Sequence, residues 1–147
     1  MVKNMDKTID ISYTMTEKFD FKRLFDILVG ALEGGSNDWY HIAKITPPKN
    51  LDNIDTKYMI YNALLNEGGS LEVVKMDECD VNDLKIWRKI PDTAKRYIIN
   101  IESIKKGLEL MSKNHPTDFL SFVKETDDAT TSDILFQLIC FGKIVYC

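Results

Sequence analysis

Three constellations in this sequence combine residue types and spacings that could support chemistry. Asp127-Asp128 with Asp133 could hold a divalent cation, or share a proton as general acid and base. The plainer reading of adjacent carboxylates at a helix entry is capping, in which they accept amide hydrogen bonds and answer the positive end of the helix. His41 lies close in sequence to Glu33, Asp38 and Tyr40 and titrates in the range proton transfer needs. On a strand, however, it shares a face with Trp39 and Ala43 and reads equally as a hydrogen-bonded core or edge residue. Lys85, Arg88, Lys89, Lys95 and Arg96, with Trp87 and Tyr97 between them, form the third group. Phosphates could meet Arg88, Lys89 and Arg96 while a base stacks on Trp87. The competing reading packs Trp87 inward and leaves the bases in water.

Other motifs carry less. Gly34-Gly35-Ser36-Asn37 and Gly68-Gly69-Ser70 suggest phosphate loops, yet both glycine pairs follow helical patterns. A phosphate loop precedes a helix and presents its N-terminal amides. His115 beside Pro116 complements a helix end. Two histidines and three scattered cysteines (Cys79, Cys140, Cys147) make no zinc-type spacing, and no nucleophile elbow or cofactor fingerprint stands out. No cofactor or metal is therefore expected. Reduced thiols are the economical reading of an odd cysteine count.

The elements that must position these groups follow from periodicity. Ile9, Ile11, Tyr13 and Met15 alternate over Thr8–Met15 and predict a half-buried strand. Phe21, Leu24, Phe25, Leu28, Val29 and Leu32 predict a helix, with Asp20 as N-cap and Gly34-Gly35 as a left-handed exit. Trp39–Ile45 predicts a strand stopped by Pro47-Pro48. Tyr58–Leu65 predicts a helix, Ser70–Met76 a strand, and Asp77–Asp83 a loop or short helix start. Tyr97-Ile98-Ile99 reads as a strand. Helices follow through Ile104, Leu108 and Met111, from Pro116 through Val123, and around Ile134, Leu135, Leu138 and Ile139. Gly142 closes the last one, and Ile144-Val145-Tyr146 reads as a closing strand. Glu33-Gly34-Gly35-Ser36 and Glu67-Gly68-Gly69-Ser70 are identical tetrapeptides, read as two uses of one helix stop. The expectation is a single α+β domain over residues 1–147, with a mixed or antiparallel sheet of about four to five strands and helices packed on it.

Composition narrows the function classes. The 147 residues are 44% hydrophobic and 29% charged, an ordinary globular balance. No apolar run approaches the length of a membrane span, and the charged N-terminus lacks a secretory pattern, so a cytoplasmic protein is expected. The net charge of −4 has the wrong sign for a general nucleic-acid binder. Its distribution is striped: acidic over Glu72–Asp83, basic over Leu84–Lys113, and acidic again over Thr117–Asp133.

Three segments taken together resemble a known group. They are Ala31-Leu32-Glu33-Gly34-Gly35 running into Asn37-Asp38-Trp39-Tyr40, then Glu67-Gly68-Gly69-Ser70-Leu71, then Asp127-Asp128-Ala129 through Asp133, Gln137 and Phe141-Gly142-Lys143-Ile144-Val145-Tyr146. This pattern is similar to that of small acidic proteins encoded by bacteriophages and prophages, with departures at Asp38, Lys143 and Cys147. The resemblance implies a binding protein that neutralises a component of bacterial host defence, such as a CRISPR effector. On that reading the acidic residues Asp77, Glu78, Asp80, Asp83, Asp127 and Asp128 face a basic partner surface. Two alternatives stand beside it. One is a sponge or processing enzyme for a nucleotide immune signal, using Trp87, Arg88, Lys89 and Arg96. The other is a phage accessory protein that assembles with itself.

Overall fold

A computed structural model describes residues 7–12, 14–49, 56–79 and 90–147. Helix α1 (Phe21–Gly30) starts where Asp20 accepts the Arg23 amide at 2.8 Å, and it buries Leu24, Ile27 and Leu28. It then widens into a π-helical turn, Ala31–Gly35. Strand β1 (Tyr40–Thr46), helix α2 (Thr56–Leu65) and strand β2 (Ser70–Lys75) follow, then a short 3₁₀ turn, Met76–Glu78. After strand β3 (Tyr97–Ile99), three helices complete the chain: α3 (Ile101–Asn114), α4 (Pro116–Lys124) and α5 (Ala129–Phe141).

The strands form one antiparallel sheet in the order β1-β2-β3. A bulge between Ile42 and Lys44 interrupts the β1-β2 ladder. Alternation along β2 sends Leu71 and Val73 into the main core with Ile99, Tyr61, Leu64 and Phe136. A second cluster of Ile27, Met111, Phe122, Leu135 and Leu138 ties α1, α3, α4 and α5 together. The two clusters are continuous through Phe19, Leu108 and Ile139. Close approach between α3 and α5 depends on Gly107, where a Cβ would strike Ile139.

The architecture is α+β as expected, but the sheet is smaller. Among the described residues it has three strands, and two expected ones are not formed. Thr8–Ser12 and Thr14-Met15 have no strand neighbour, and Ile9, Ile11 and Met15 stand in solvent; Tyr13 lies outside the described residues. A period of two prepares a strand but does not supply its partner. Ile144-Val145-Tyr146 is also irregular, because its backbone bonds to a side chain and not to a neighbouring strand.

The twin tetrapeptides prove to do different jobs. Gly68 has φ +86°, the left-handed turn that glycine permits, and Gly69 lies against the Ala63 backbone. Gly35 has no positive φ. A Cβ there would collide with the Ala129 carbonyl, so the residue is small to let the π turn lie flush on the start of α5. The expected left-handed exit at Gly34-Gly35 is therefore replaced by a close contact.

Candidate binding site

The site grows from the first turns of α5. Asp128 begins that helix with a reciprocal cap: its carboxylate accepts the Thr131 amide at 2.9 Å, and the Thr131 hydroxyl returns to the Asp128 amide. Bonds from the Thr131 amide and hydroxyl hold the Asp128 carboxyl below its ordinary 3.8. Its contribution to stability is therefore present above that value and fades as pH falls below it. Asp127 pairs with the Arg23 guanidinium, which also donates to the Phe122 carbonyl at 3.1 Å. Both carboxylates are committed to the fold.

Asp133 lies on the face of α5 that meets the π turn. Its Oδ1 accepts the Ser36 hydroxyl at 2.7 Å and the Trp39 indole N–H at 2.7 Å. Its Oδ2 accepts the Gln137 amide at 2.8 Å, one helical turn along. Gln137 is fully buried and clamps the C-terminal segment. Its Oε1 accepts the amides of Val145 and Tyr146, each at 2.8 Å, and its Nε2 donates to the Tyr146 carbonyl at 3.0 Å.

This clamp lays the Tyr146 ring on Trp39, with centroids 5.4 Å apart and planes 18° from parallel. Phe136, Phe141 and Tyr40 complete an aromatic cluster around the indole. The Tyr146 hydroxyl donates to Asp77 Oδ2 at 3.0 Å, which ties the tail to the 3₁₀ turn after β2. Burial, that bond and the Asp77 charge push the Tyr146 phenol up to about 12. Tyr40 donates to the Leu32 carbonyl at 2.6 Å, and burial with the nearby Glu33 charge likewise raises it to about 12.

Between tail, π turn and 3₁₀ turn lies a cleft of about 250 Å³, bordered by Asp38, Trp39, Asp77, Asp133, Tyr146 and Cys147. Acidic groups border it and aromatic rings form its wall. That combination suits a cationic side chain, drawn by charge and by the ring faces.

The sequence-predicted residues distribute unevenly around this cleft. Asp77 borders it and Glu78 is the next residue of the same turn; Glu78 Oε2 also accepts the Lys95 amide at 3.1 Å. Asp127 is held in the salt bridge with Arg23, and Asp128, which stays exposed, caps α5. Asp127, Asp128 and Asp133 do not converge, and the described residues include no group of three acidic, histidine or cysteine side chains fit to hold a metal. Asp80, Asp83, Trp87, Arg88 and Lys89 lie outside the described residues. Arg96 precedes β3, and its Nη1 is buried without a hydrogen-bond partner. Lys95 Nζ sits 4.9 Å from the centroid of the Tyr97 ring. His41 is a half-buried residue of β1.

Motif reading missed the pairing of Asp133 with Trp39 and the role of Gln137 as a tail clamp. The signal available was two of the three resembling segments, Ala31–Tyr40 and Asp127–Tyr146, which meet at this cluster. Glu67–Leu71 lies instead at the far end of the β1-β2 ladder, where Ser70 pairs with Thr46. Comparison with protein-family models, with curated proteins and with solved structures gives no match to this chain. No helix of the described residues is long and apolar enough to cross a membrane.

Proposed function

We propose that this chain is a bacteriophage- or prophage-encoded binding protein that acts in the bacterial cytoplasm. It neutralises a component of host defence, such as a CRISPR effector, by protein–protein contact, with Asp77 and Glu78 as contact residues. The observation that carries the reading is the cleft where Asp38 and Asp77 border the Trp39–Tyr146 stack. A lysine or arginine from a basic partner surface fits there. Carboxylates at its edge raise the association rate and reject acidic competitors.

The test is the double variant Asp77→Asn with Glu78→Gln. Asparagine retains an oxygen for the Tyr146 hydroxyl, so the tail clamp survives while two charges are lost. Protection of phage from host defence should fall, and capture of the target protein should lose much of its salt dependence. Undiminished protection by a correctly folded variant would refute the acidic-contact reading. Native mass spectrometry of the chain recovered from a bacterial lysate discriminates further. A stoichiometric basic host protein supports the proposal, whereas a retained nucleotide favours the phosphate-binding alternative through Arg96 and its neighbours.

A further inference from the structure

Residues 143–147, after α5, form neither helix nor strand, and no ladder holds them. Gly142 turns the chain into this segment at φ +71°, and a Cβ there would meet nothing within 4 Å. Lys143 and Cys147 are exposed, as are Ile144 and Val145 at 37% and 42%. Among the described residues, the hydrogen bonds and ring contacts of the segment all run through Gln137 or Tyr146. Gln137 Oε1 accepts both the Val145 and the Tyr146 amide, while Tyr146 stacks on Trp39 and donates to Asp77. The acidic cleft is built on the same attachment. Tyr146 and Cys147 border it, and the Tyr146 hydroxyl restrains Asp77 on its opposite side. Gln137 and Val145 are not among its borders.

We infer that residues 143–147 are a hinged strap that makes the acidic cleft conditional. They swing out about Gly142 as one unit, and only the seated strap leaves a cleft able to hold a cation. This regulation rests on the reading of the cleft as a cation site. Seating fixes the backbone of five residues, and two anchoring side chains must offset that cost, so the strap opens independently of the core. The Val145 and Tyr146 amides share one acceptor, so both bonds break in the same event. Opening takes away the aromatic wall and frees the Asp77 carboxylate from the Tyr146 hydroxyl. Charge at the rim survives, but the ring face and the enclosure do not. Seating and binding are therefore linked: a cation held by the seated form closes the strap, and unseating the strap weakens its binding by the same factor. Gln137 is a positioning residue in this device, since it sets the Tyr146 ring in the cleft wall without reaching the cleft.

Native-state amide exchange of the full chain reads the hinge. Val145 and Tyr146 should share one protection factor, about 30 to about 1,000 and insensitive to low urea, while β2 amides exchange only on global unfolding. Protection equal to that of β2, or values for the two amides more than about tenfold apart, would overturn the strap. A labelled hexa-arginine peptide at low salt, followed by fluorescence anisotropy, reads the coupling. At a peptide concentration about ten times its Kd, exchange at Val145 and Tyr146 should slow about tenfold. Val145→Pro puts a ring carbon where the amide donates to Gln137 Oε1 at 2.8 Å, so the strap cannot seat while net charge is unchanged. The peptide Kd should then rise at least about tenfold, and Gln137→Met, which leaves the strap sequence intact, should act in the same direction. Val145 is exposed on the strap, so β2 amides of the proline variant should keep the parent's protection. Peptide binding that ignores Val145→Pro, or that leaves exchange at the two amides unchanged, would overturn the coupling and spare the cleft reading. Failure of the peptide to bind the parent chain would refute the cleft reading itself, and the coupling with it.

Discussion

Replacing Gln137 by methionine tests the central claim about how the tail is held. The substitution keeps side-chain volume and apolar fit but removes every hydrogen bond of the clamp. Four are lost: two from the amides of Val145 and Tyr146, one to the Tyr146 carbonyl and one to Asp133. At a net contribution of about 1 kcal/mol each, their sum is about 4 kcal/mol. Releasing the tail also gives up the Tyr146–Trp39 stack, worth about 1 kcal/mol. Against this, Val145 is 42% exposed, so the freed backbone groups rehydrate once the tail lifts. Asp133 keeps its bonds from Ser36 and Trp39. The balance is a loss of about 2–4 kcal/mol, a large share of the roughly 5–15 kcal/mol a domain possesses. Urea unfolding followed by tryptophan emission measures the loss, and amide exchange at Val145 and Tyr146 locates it. Both amides should become unprotected well before the core opens. A loss below about 1 kcal/mol, with the Tyr146 amide still protected, would show that the tail is held by something other than Gln137.

The remaining predictions concern the twin glycine motifs and the tyrosines. Gly35→Ala should destabilise by about 1–3 kcal/mol through collision with the Ala129 backbone, and Gly35→Asn should do more harm. Gly68→Ala should cost about 1 kcal/mol from its φ of +86°, and Gly68→Asn should recover part of that, so the order of the two substitutions is opposite at the two sites. At high pH the folded chain retains phenolic protons that the unfolded chain loses near its ordinary 10.0, since Tyr40 and Tyr146 are raised to about 12. With more protons bound in the folded state, stability falls as pH rises from about 10 to about 12. Absorbance titration of tyrosinate in folded and denatured chain checks this, and Tyr146→Phe should remove one of the delayed ionisations.

Much of the secondary structure was legible because its signals are local. Asp20 and Asp128 cap helices within three residues of themselves, Gly142 ends α5 in the left-handed conformation, and Pro116 opens α4. Such contacts need no knowledge of the rest of the chain. The same locality misled at Thr8–Met15 and Ile144–Tyr146, where a strand-like pattern exists without a strand beside it. A ladder needs a second segment at the right distance, and alternation does not say whether one is there.

Composition, periodicity and caps thus determined, on the sequence alone, an α+β chain with helices in the right places and a striped charge. Tertiary structure decided which carboxylates are spent and which face outward. Asp127 is absorbed by Arg23, 104 residues away, while Asp133 gathers Trp39 and Ser36 from 94 and 97 residues away. It also decided that one Glu-Gly-Gly-Ser makes a left-handed turn and the other a close contact. Hydrogen bonds and collisions act over a few ångströms of space, and only folding brings residues so distant in sequence within that range.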